Sequence, residues 1–455
     1  MNEQKRKKWW YLLVTTSGTS LVFLDSTIMP VALPTIQDQF NFSNTSIIWV
    51  VNAYLLSLTA LLLIGGRLSD IFGRRNLFIW GFSLFGFGSL IAAFSFSRGT
   101  LVLGRVIQGI GGAMTVPTTG ALLMTHFPRG ERARALGINT AISSIFLVTG
   151  PAVGGFLTQY LNWRSIFFVN LPLVLFGTSM ALVILEKDKR KREPFHFEGA
   201  ATMVIAIVCL VVGLMEGNNW GWDSYLVWLF LLLSPLFFIF FLWISTHVKH
   251  PLINMSFFQN RYFSLSNICI FFVQMVITVT VIWAIYFQEQ LGYSPSQTGL
   301  IIFIAAFPVC VMAPLGGFLG DRLGPRIPLL IGFGLLTFAL YWLLFTAHEK
   351  SIPILLPGLF SFGSGVPLIM SPTMALALSQ VPNNQLGAAS GVTVEVRQLA
   401  STIGIALMTA IFYTTLKMTG SSVRAFEAVS LIAGSLALVG FLVVLFGVRK
   451  HNGVS

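Results

Sequence analysis

Gly65-Gly66-Arg67-Leu68-Ser69-Asp70-Ile71-Phe72-Gly73-Arg74-Arg75 returns later in the same chain as Gly316-Gly317-Phe318-Leu319-Gly320-Asp321-Arg322-Leu323-Gly324-Pro325-Arg326, with six of the eleven positions identical. Each copy joins two long apolar stretches. The repeat therefore predicts two related membrane bundles, each with the same charged, glycine-rich turn, an organisation common among transporters. It extends beyond the turn: Pro117 and Pro367, and the pairs Leu136-Gly137 and Leu386-Gly387, recur at an offset of 250, while the turn itself recurs at 251.

Composition agrees with a membrane origin for both copies. A chain of 455 residues that is 55% hydrophobic and 10% charged, with a mean hydropathy of +0.80, is not a soluble domain. Runs of about 18 or more apolar residues, enough to cross a bilayer core, recur from 9–33 to 426–448 and number fourteen. An even number of spans puts both termini on one side, and basic residues identify that side as the cytoplasm. With the N-terminus inside, 21 Lys and Arg fall in cytoplasmic turns, against five outside: Arg98, Arg164, Lys350, Lys417 and Arg424. The net charge of +12 is thus read as topology and attraction to anionic lipid headgroups, with no nucleic-acid module in sight. Met1 to Lys8 followed by an apolar run from Trp9 mimics a secretory signal. The run is too long for one and lacks a small-residue cleavage site, so it is expected to stay as the first helix. Cys209, Cys269 and Cys310 all lie in apolar spans and are read as packing residues, with neither a disulfide framework nor a metal site.

The first turn follows span two and the second follows span ten. A plain six-plus-six duplication would put the second after span eight, so two extra spans, 198–216 and 225–245, separate the halves. The expected fold is all-α: two six-helix bundles at 1–185 and 251–455, and a linker at 186–250 that holds the two additional helices. The linker is entered through the charge-rich stretch 186–197.

In this order, the motifs resemble the major facilitator superfamily, and within it the fourteen-helix drug:proton antiporter branch. The resemblance rests on Leu24-Asp25-Ser26-Thr27-Ile28-Met29-Pro30-Val31-Ala32-Leu33-Pro34, Trp49-Val50-Val51-Asn52-Ala53-Tyr54, the Gly65 to Arg75 turn, Arg105-Val106-Ile107-Gln108-Gly109, Gly150-Pro151-Ala152-Val153-Gly154-Gly155, and Arg397-Gln398-Leu399. It covers nearly the whole chain. What it implies is proton-coupled efflux of cationic or amphipathic compounds by alternating access, without a cofactor, by a monomer in the cytoplasmic membrane. Small molecules, protons and lipids would be its partners.

The motifs also have physical readings of their own. In the turn, Gly66 and Gly73 permit close approach while Asp70, Arg74 and Arg75 gather charge at the membrane surface. Topology signalling alone is one reading; a conformational latch, which the resemblance also implies, is the other. Asp321 and Arg326 repeat the feature, but Phe318 and Pro325 stand where Arg67 and Arg74 stood, so the second latch is expected to be weaker. Gly150, Pro151, Gly154 and Gly155 predict a kinked, tightly packed helix; in the family this pattern marks antiporters.

Asp25 is the sharpest chemical signal. It sits among Leu21, Val22, Phe23, Leu24 and Ile28, where a charge costs about 2.5 kcal/mol or more and an acid is by default a functional-site hypothesis. An acid that takes up and releases a proton there suits proton exchange. The bland reading is a carboxylate satisfied by Ser26, Thr27 or nearby backbone. Arg105, several residues inside span four, must also find a partner or snorkel to the helix end. The resemblance assigns it to proton coupling. Gln108 and Asn139 are candidates for a polar cavity or for interhelical hydrogen bonds. In span thirteen, Glu395 and Arg397 are two residues apart and point in different directions; Glu395 either lines the path or pairs with another helix. Trp49 and Tyr54, with Trp283 and Tyr286, offer an aromatic wall that tolerates cations. Glu216, Glu289 and Glu427 fall near span ends and read as interfacial.

A carrier of metabolites, lipids or amino acids on the same scaffold is the main alternative, because function lives in the site and not in the fold. A non-transport membrane receptor is a further one, although it would need neither latch nor buried charges. No nucleotide loop, metal cluster or nucleophile constellation supports an enzyme; Gly109, Gly111 and Gly112 lie inside a membrane helix.

Overall fold

A hydrocarbon interior offers no water to peptide groups, so each N–H and C=O must be bonded within the protein, and a helix does this locally. The described residues form helices and no strand. The computed structural model describes residues 3–41, 43, 46–127, 131–186, 197–248, 252–349, 351–382 and 385–448. Of the charged positions counted for topology, Arg129, Lys187, Lys189, Arg190, Lys191, Arg192, Lys249, Lys350, Arg449 and Lys450 lie outside them. So do the side chains of Lys5, Arg6, Lys7, Lys8, Asp70, Arg132 and Arg134.

Fourteen helical spans are long and apolar enough to cross a membrane. The first six contain α1 (Glu3–Ile28) with α2 (Leu33–Phe40), α3 (Trp49–Phe72), α4 (Arg74–Ala93), α5 (Arg98–His126), α6 (Arg132–Tyr160), and α7 (Ser165–Phe168) with α8 (Asn170–Ile184). The additional pair is α9 (Phe197–Trp220) and α10 (Tyr225–His247). The last six are α11 (Arg261–Ile277) with α12 (Val279–Glu289), α13 (Pro295–Ala306) with α14 (Pro308–Leu323), α15 (Arg326–Phe345), α16 (Ile352–Ser379), α17 (Leu386–Thr419) and α18 (Ser422–Gly447).

Four spans are therefore broken where the sequence reads as continuous. Pro30, Pro34 and Pro308 account for two of the breaks, since proline removes a helical donor and clashes with the preceding turn. At the α11–α12 junction the Thr278 hydroxyl donates to the Met275 carbonyl at 2.6 Å, a local bond that competes with the helical ladder. The break at Val169 has no such bond, but Pro172, three residues on, removes the donor that the Phe168 carbonyl would otherwise receive.

The chain resolves into two compact units: residues 1–213 with 228–253, and residues 214–227 with 254–455. The tip of the α9–α10 hairpin belongs to the second unit. There the Trp222 indole N–H donates to Asn218 Oδ1 and to Thr414 Oγ1 of α17, both at 3.1 Å, and Asn218 Nδ2 donates to the Ala410 carbonyl at 3.2 Å.

Within each unit the repeat governs the packing. Gly81 on α4 lies against Gly111 of α5 so closely that an added Cβ would sit 2.9 Å from the Gly111 carbonyl oxygen. Gly332, 251 positions later on α15, has the Gly365 carbonyl of α16 at 2.8 Å. Small residues at such crossings let backbones meet. The two turns close alike, with Gly73 at φ 89° and Gly324 at φ 76°, a region that only glycine enters without strain. The arginine two positions after each glycine then reaches the C-terminal end of a later helix of its own unit, the sixth span of the chain in the first case and the last span in the second. Arg75 donates to the Leu182 carbonyl of α8 at 2.8 Å, and Arg326 to the Leu445 carbonyl of α18 at 2.9 Å.

Candidate functional site

Asp25 lies four residues before the α1 break at Met29–Pro30 and is fully buried. The hydroxyls beside it face elsewhere. Ser26 Oγ donates to the Phe23 carbonyl at 2.8 Å, and Thr27 Oγ1 to the Phe23 and Leu24 carbonyls at 3.1 and 3.3 Å. The carboxylate is bound instead by other helices. Arg105 Nη1 of α5 meets Oδ2 at 2.6 Å, Gln108 Nε2 donates to Oδ1 at 3.2 Å, and Asn170 Nδ2 of α8 donates to Oδ1 at 2.9 Å.

Arg105 is itself fully buried, which excludes snorkelling. Its Nε donates to the Val50 carbonyl of α3 at 2.8 Å, and Nη1 also donates to Gln108 Oε1 at 2.8 Å. The guanidinium lies 4.4 Å from the Tyr54 ring centroid, in the geometry of a cation–π contact. Ser89 Oγ of α4 accepts from Gln108 Nε2 at 2.8 Å and from Asn170 Nδ2 at 3.5 Å. Five helices thus converge on one ion pair. The α5 backbone can come so close because Gly109 has the Tyr54 carbonyl of α3 where a Cβ would sit.

A buried ion pair is tolerated only when further hydrogen bonds satisfy both partners, and removing one partner costs about 3–5 kcal/mol. Here each charge has at least two such bonds. The arrangement is electrically neutral as a whole. A proton arriving on Asp25 would cancel the attraction that holds Arg105 to it, while Val50 and Gln108 would still accept from the guanidinium. The chemical capacity is a proton-dependent bond between α1 and α5.

The other residues singled out in the sequence lie apart from this cluster. Asn139 on α6 donates to Thr19 Oγ1 at 3.4 Å, more than a helical turn from Asp25 along α1. Trp49 begins α3 and is half-buried. Gly150 and Gly154 press against Thr27 and Ile28 of α1, where any side chain would clash with Thr27 Oγ1 and the Ile28 carbonyl. Pro151 and Gly155 are buried beside them. Of the turn, Gly66 lies 3.7 Å from Pro117 Cβ, measured from the position of an added Cβ. Arg74 donates to Thr125 Oγ1 and to the Ala121 carbonyl at the end of α5. Asp321 is exposed.

In the second unit, Glu395 is 2% exposed and Arg397 is half-buried. Trp283 and Tyr286 belong to a packed core: Trp283 lies against Phe362 at 4.8 Å, and Tyr286 stacks on Phe426 at 4.1 Å while donating to the Ala347 carbonyl at 2.6 Å. Asn170 and Ser89 escaped the sequence reading. A polar residue deep in an apolar span was the available signal, but Ser and Asn are common enough in helix contacts to be passed over.

The family model described as Major Facilitator Superfamily matches residues 15–266 and 263–454. The multidrug resistance protein Stp of Mycobacterium tuberculosis is 34% identical over 407 residues, covering 89% of this chain and 75% of that protein. The riboflavin transporter RibZ of Clostridioides difficile is 27% identical, covering 98% of this chain and 99% of RibZ. Among solved structures, the D-xylose-proton symporter superposes with a TM-score of 0.71 at 16% identity, covering 98% of this chain and 99% of that one, a likeness of fold.

Proposed function

The chain belongs to the major facilitator superfamily, a transporter family rather than an enzyme one, and from that membership we propose that it expels cationic or amphipathic toxic compounds in exchange for protons. The observation that carries this reading is the Asp25–Arg105 pair, buried at 2.6 Å with Gln108 and Asn170 on the same carboxylate. A proton on Asp25 turns an ion pair into a neutral acid beside an arginine. Arg105 then keeps only its bonds to Val50 and Gln108, and the α1–α5 contact loosens. Loss of that proton restores it. Coupling follows if the tight and loose contacts belong to opposite halves of an alternating-access cycle. The likeness to a multidrug resistance protein over most of the chain supports a drug-like cargo.

In this reading the protein is a monomer in the cytoplasmic membrane with both termini inside. Two six-helix halves, at 1–185 and 251–455, carry the alternating-access cycle. The charged turns, with Gly66, Asp70, Gly73, Arg74 and Arg75 in the first and Asp321 and Arg326 in the second, latch and release. Gly150, Pro151, Gly154 and Gly155 keep α6 tight on α1.

Proteoliposomes loaded with a lipophilic cationic dye and given an imposed pH gradient provide the test. Dye movement should follow the gradient in the native protein and be uncoupled from it in Asp25→Asn. Dye movement indifferent to the gradient, or unchanged coupling in the variant, would refute the reading. A second reading, export or import of a neutral heteroaromatic such as a flavin, is supported by the end-to-end likeness to RibZ. Competition of riboflavin against the dye distinguishes the two.

A further inference from the structure

The end of α18 draws two arginines where fastening a helix needs one. Arg326, at the start of α15, donates from Nη2 to the Leu445 carbonyl at 2.9 Å. Arg261, at the start of α11, donates from Nη2 to the Gly447 carbonyl at 3.1 Å. The two acceptors lie in one helical turn, about 3 Å apart along the axis. In the first unit Arg75 makes the bond that corresponds to that of Arg326, but 250 positions before Arg261 stands Tyr11, a buried side chain without charge. The second arginine is therefore peculiar to the second unit.

A helix end carries about half a negative charge, so these carbonyls leave most of two positive charges unbalanced. The helices that meet here supply no acid. α11 and α15 contain none, and the one acid of α18, Glu427, is twenty residues before Gly447 at the opposite end. Asp321, in the turn that precedes Arg326, is exposed, and no ion pair among the described residues includes Arg261 or Arg326. Arg326 also keeps a donor idle, since its Nε has no acceptor among the described residues.

Both arginines begin membrane spans, so they sit where hydrocarbon gives way to water. Arg261 is exposed and Arg326 half-buried. Between their two acceptors Phe446 is 78% exposed, and Leu442 of α18 with Ile327 and Ile331 of α15 present further exposed apolar side chains. A soluble anion gains nothing from these neighbours. A lipid lays its chains on them and offers its phosphate to the guanidinium groups, whose paired N–H donors match phosphate oxygens. We propose that Arg261 and Arg326, at the end of α18, bind the phosphodiester of an anionic phospholipid such as phosphatidylglycerol, with its acyl chains along the exposed faces of α15 and α18. With the termini inside, this is the cytoplasmic leaflet, whose surface potential is negative. The bound lipid ties the starts of α11 and α15 to the end of α18, whatever the protein carries.

Full-length protein in a neutral detergent, titrated with phosphatidylglycerol, phosphatidylcholine or inorganic phosphate, tests the site by thermal unfolding and native mass spectrometry. Phosphatidylglycerol should raise the unfolding temperature saturably, as a ligand of the folded state does, and stay bound in the mass spectrum. Phosphatidylcholine at the same concentration should do neither. Arg261→Gln should weaken phosphatidylglycerol binding about fivefold, and Arg261→Gln with Arg326→Gln about twenty-five-fold, as expected for basic residues at a membrane surface. Arg424→Gln, at the opposite end of α18, should leave binding unchanged. Because Arg261 is exposed, its single variant reports on the site even where the double variant folds poorly. Equal stabilisation by phosphatidylcholine, or equal phosphatidylglycerol binding by Arg261→Gln and the native protein, overturns the inference. Equal stabilisation by inorganic phosphate overturns it too, since the site then takes the anion without the lipid.

Discussion

Asn170 shows how much a single neutral side chain can matter beside a buried charge. Its amide donates to Asp25 Oδ1 at 2.9 Å, and a hydrogen bond to a charged group contributes about 1.5–3 kcal/mol where a neutral one contributes less. Asn170→Leu should therefore destabilise the protein by about that amount, as measured by thermal unfolding in detergent. In an Asp25→Asn background the same change should cost markedly less, because the charge it serves has gone. Equal costs in both backgrounds would mean that Asn170 supports packing and not the carboxylate. The same comparison explains what the sequence revealed of the site. Asp25 and Arg105 were legible because ionised groups are rare and expensive inside a span, and Gln108 was legible as a polar residue inside a span, a candidate for a polar cavity or an interhelical hydrogen bond. Asn170 is 145 positions from Asp25, and nothing local marks it as the carboxylate's partner. Nor does the sequence distinguish a paired acid from an unpaired one. Asp25 and Glu395 read alike until the surrounding helices are in place.

At the scale of helices, glycine is either required or incidental, and only packing tells which. Gly154 of α6 faces the Ile28 carbonyl of α1, and Gly150 faces Thr27, so a methyl at either forces two backbones apart. Overpacking of this kind costs about 1–3 kcal/mol. Gly391 of α17 and Gly120 of α5 have nothing within 4 Å of an added Cβ. There, alanine should be neutral or stabilise the helix by up to about 1 kcal/mol. Thermal unfolding of Gly154→Ala and Gly391→Ala should accordingly shift in opposite directions, and Gly154→Ala should also slow dye transport. Similar behaviour of the two variants would refute the assignment of α6 to a tight seam on α1. Span number and order were readable from hydropathy alone. Pro172 marks the break at Val169, but the break at Thr278 was not readable, since no proline announces it and its competing bond appears only once the helix has formed.

At the scale of the molecule, the duplicated turn proves to be a device repeated once in each unit. Its last arginine fastens a later helix of the same unit, α8 in the first and α18 in the second, by a carbonyl in that helix's last turn. The last four carbonyls of any helix lack an internal donor, and the negative end of the helix dipole favours a cation there. Arg75 on Leu182 and Arg326 on Leu445 fill this role at 2.8 and 2.9 Å. The repeat preserves these arginines although it loses Arg67 and Arg74 to Phe318 and Pro325. Arg74, whose bonds reach the end of α5, is thus an addition peculiar to the first unit. Arg75→Gln and Arg326→Gln should each cost about 0.5–2 kcal/mol. Since they share no partner, the double variant should equal their sum within about 0.5 kcal/mol. Hydrogen exchange gives the sharper readout. Arg75→Gln should speed exchange at the C-terminal turn of α8 and leave that of α18 unchanged, and Arg326→Gln should do the reverse. If either variant loosens both helix ends equally, the turns are not independent fasteners, and the asymmetry at Arg74 must be explained by a coupling between the units instead.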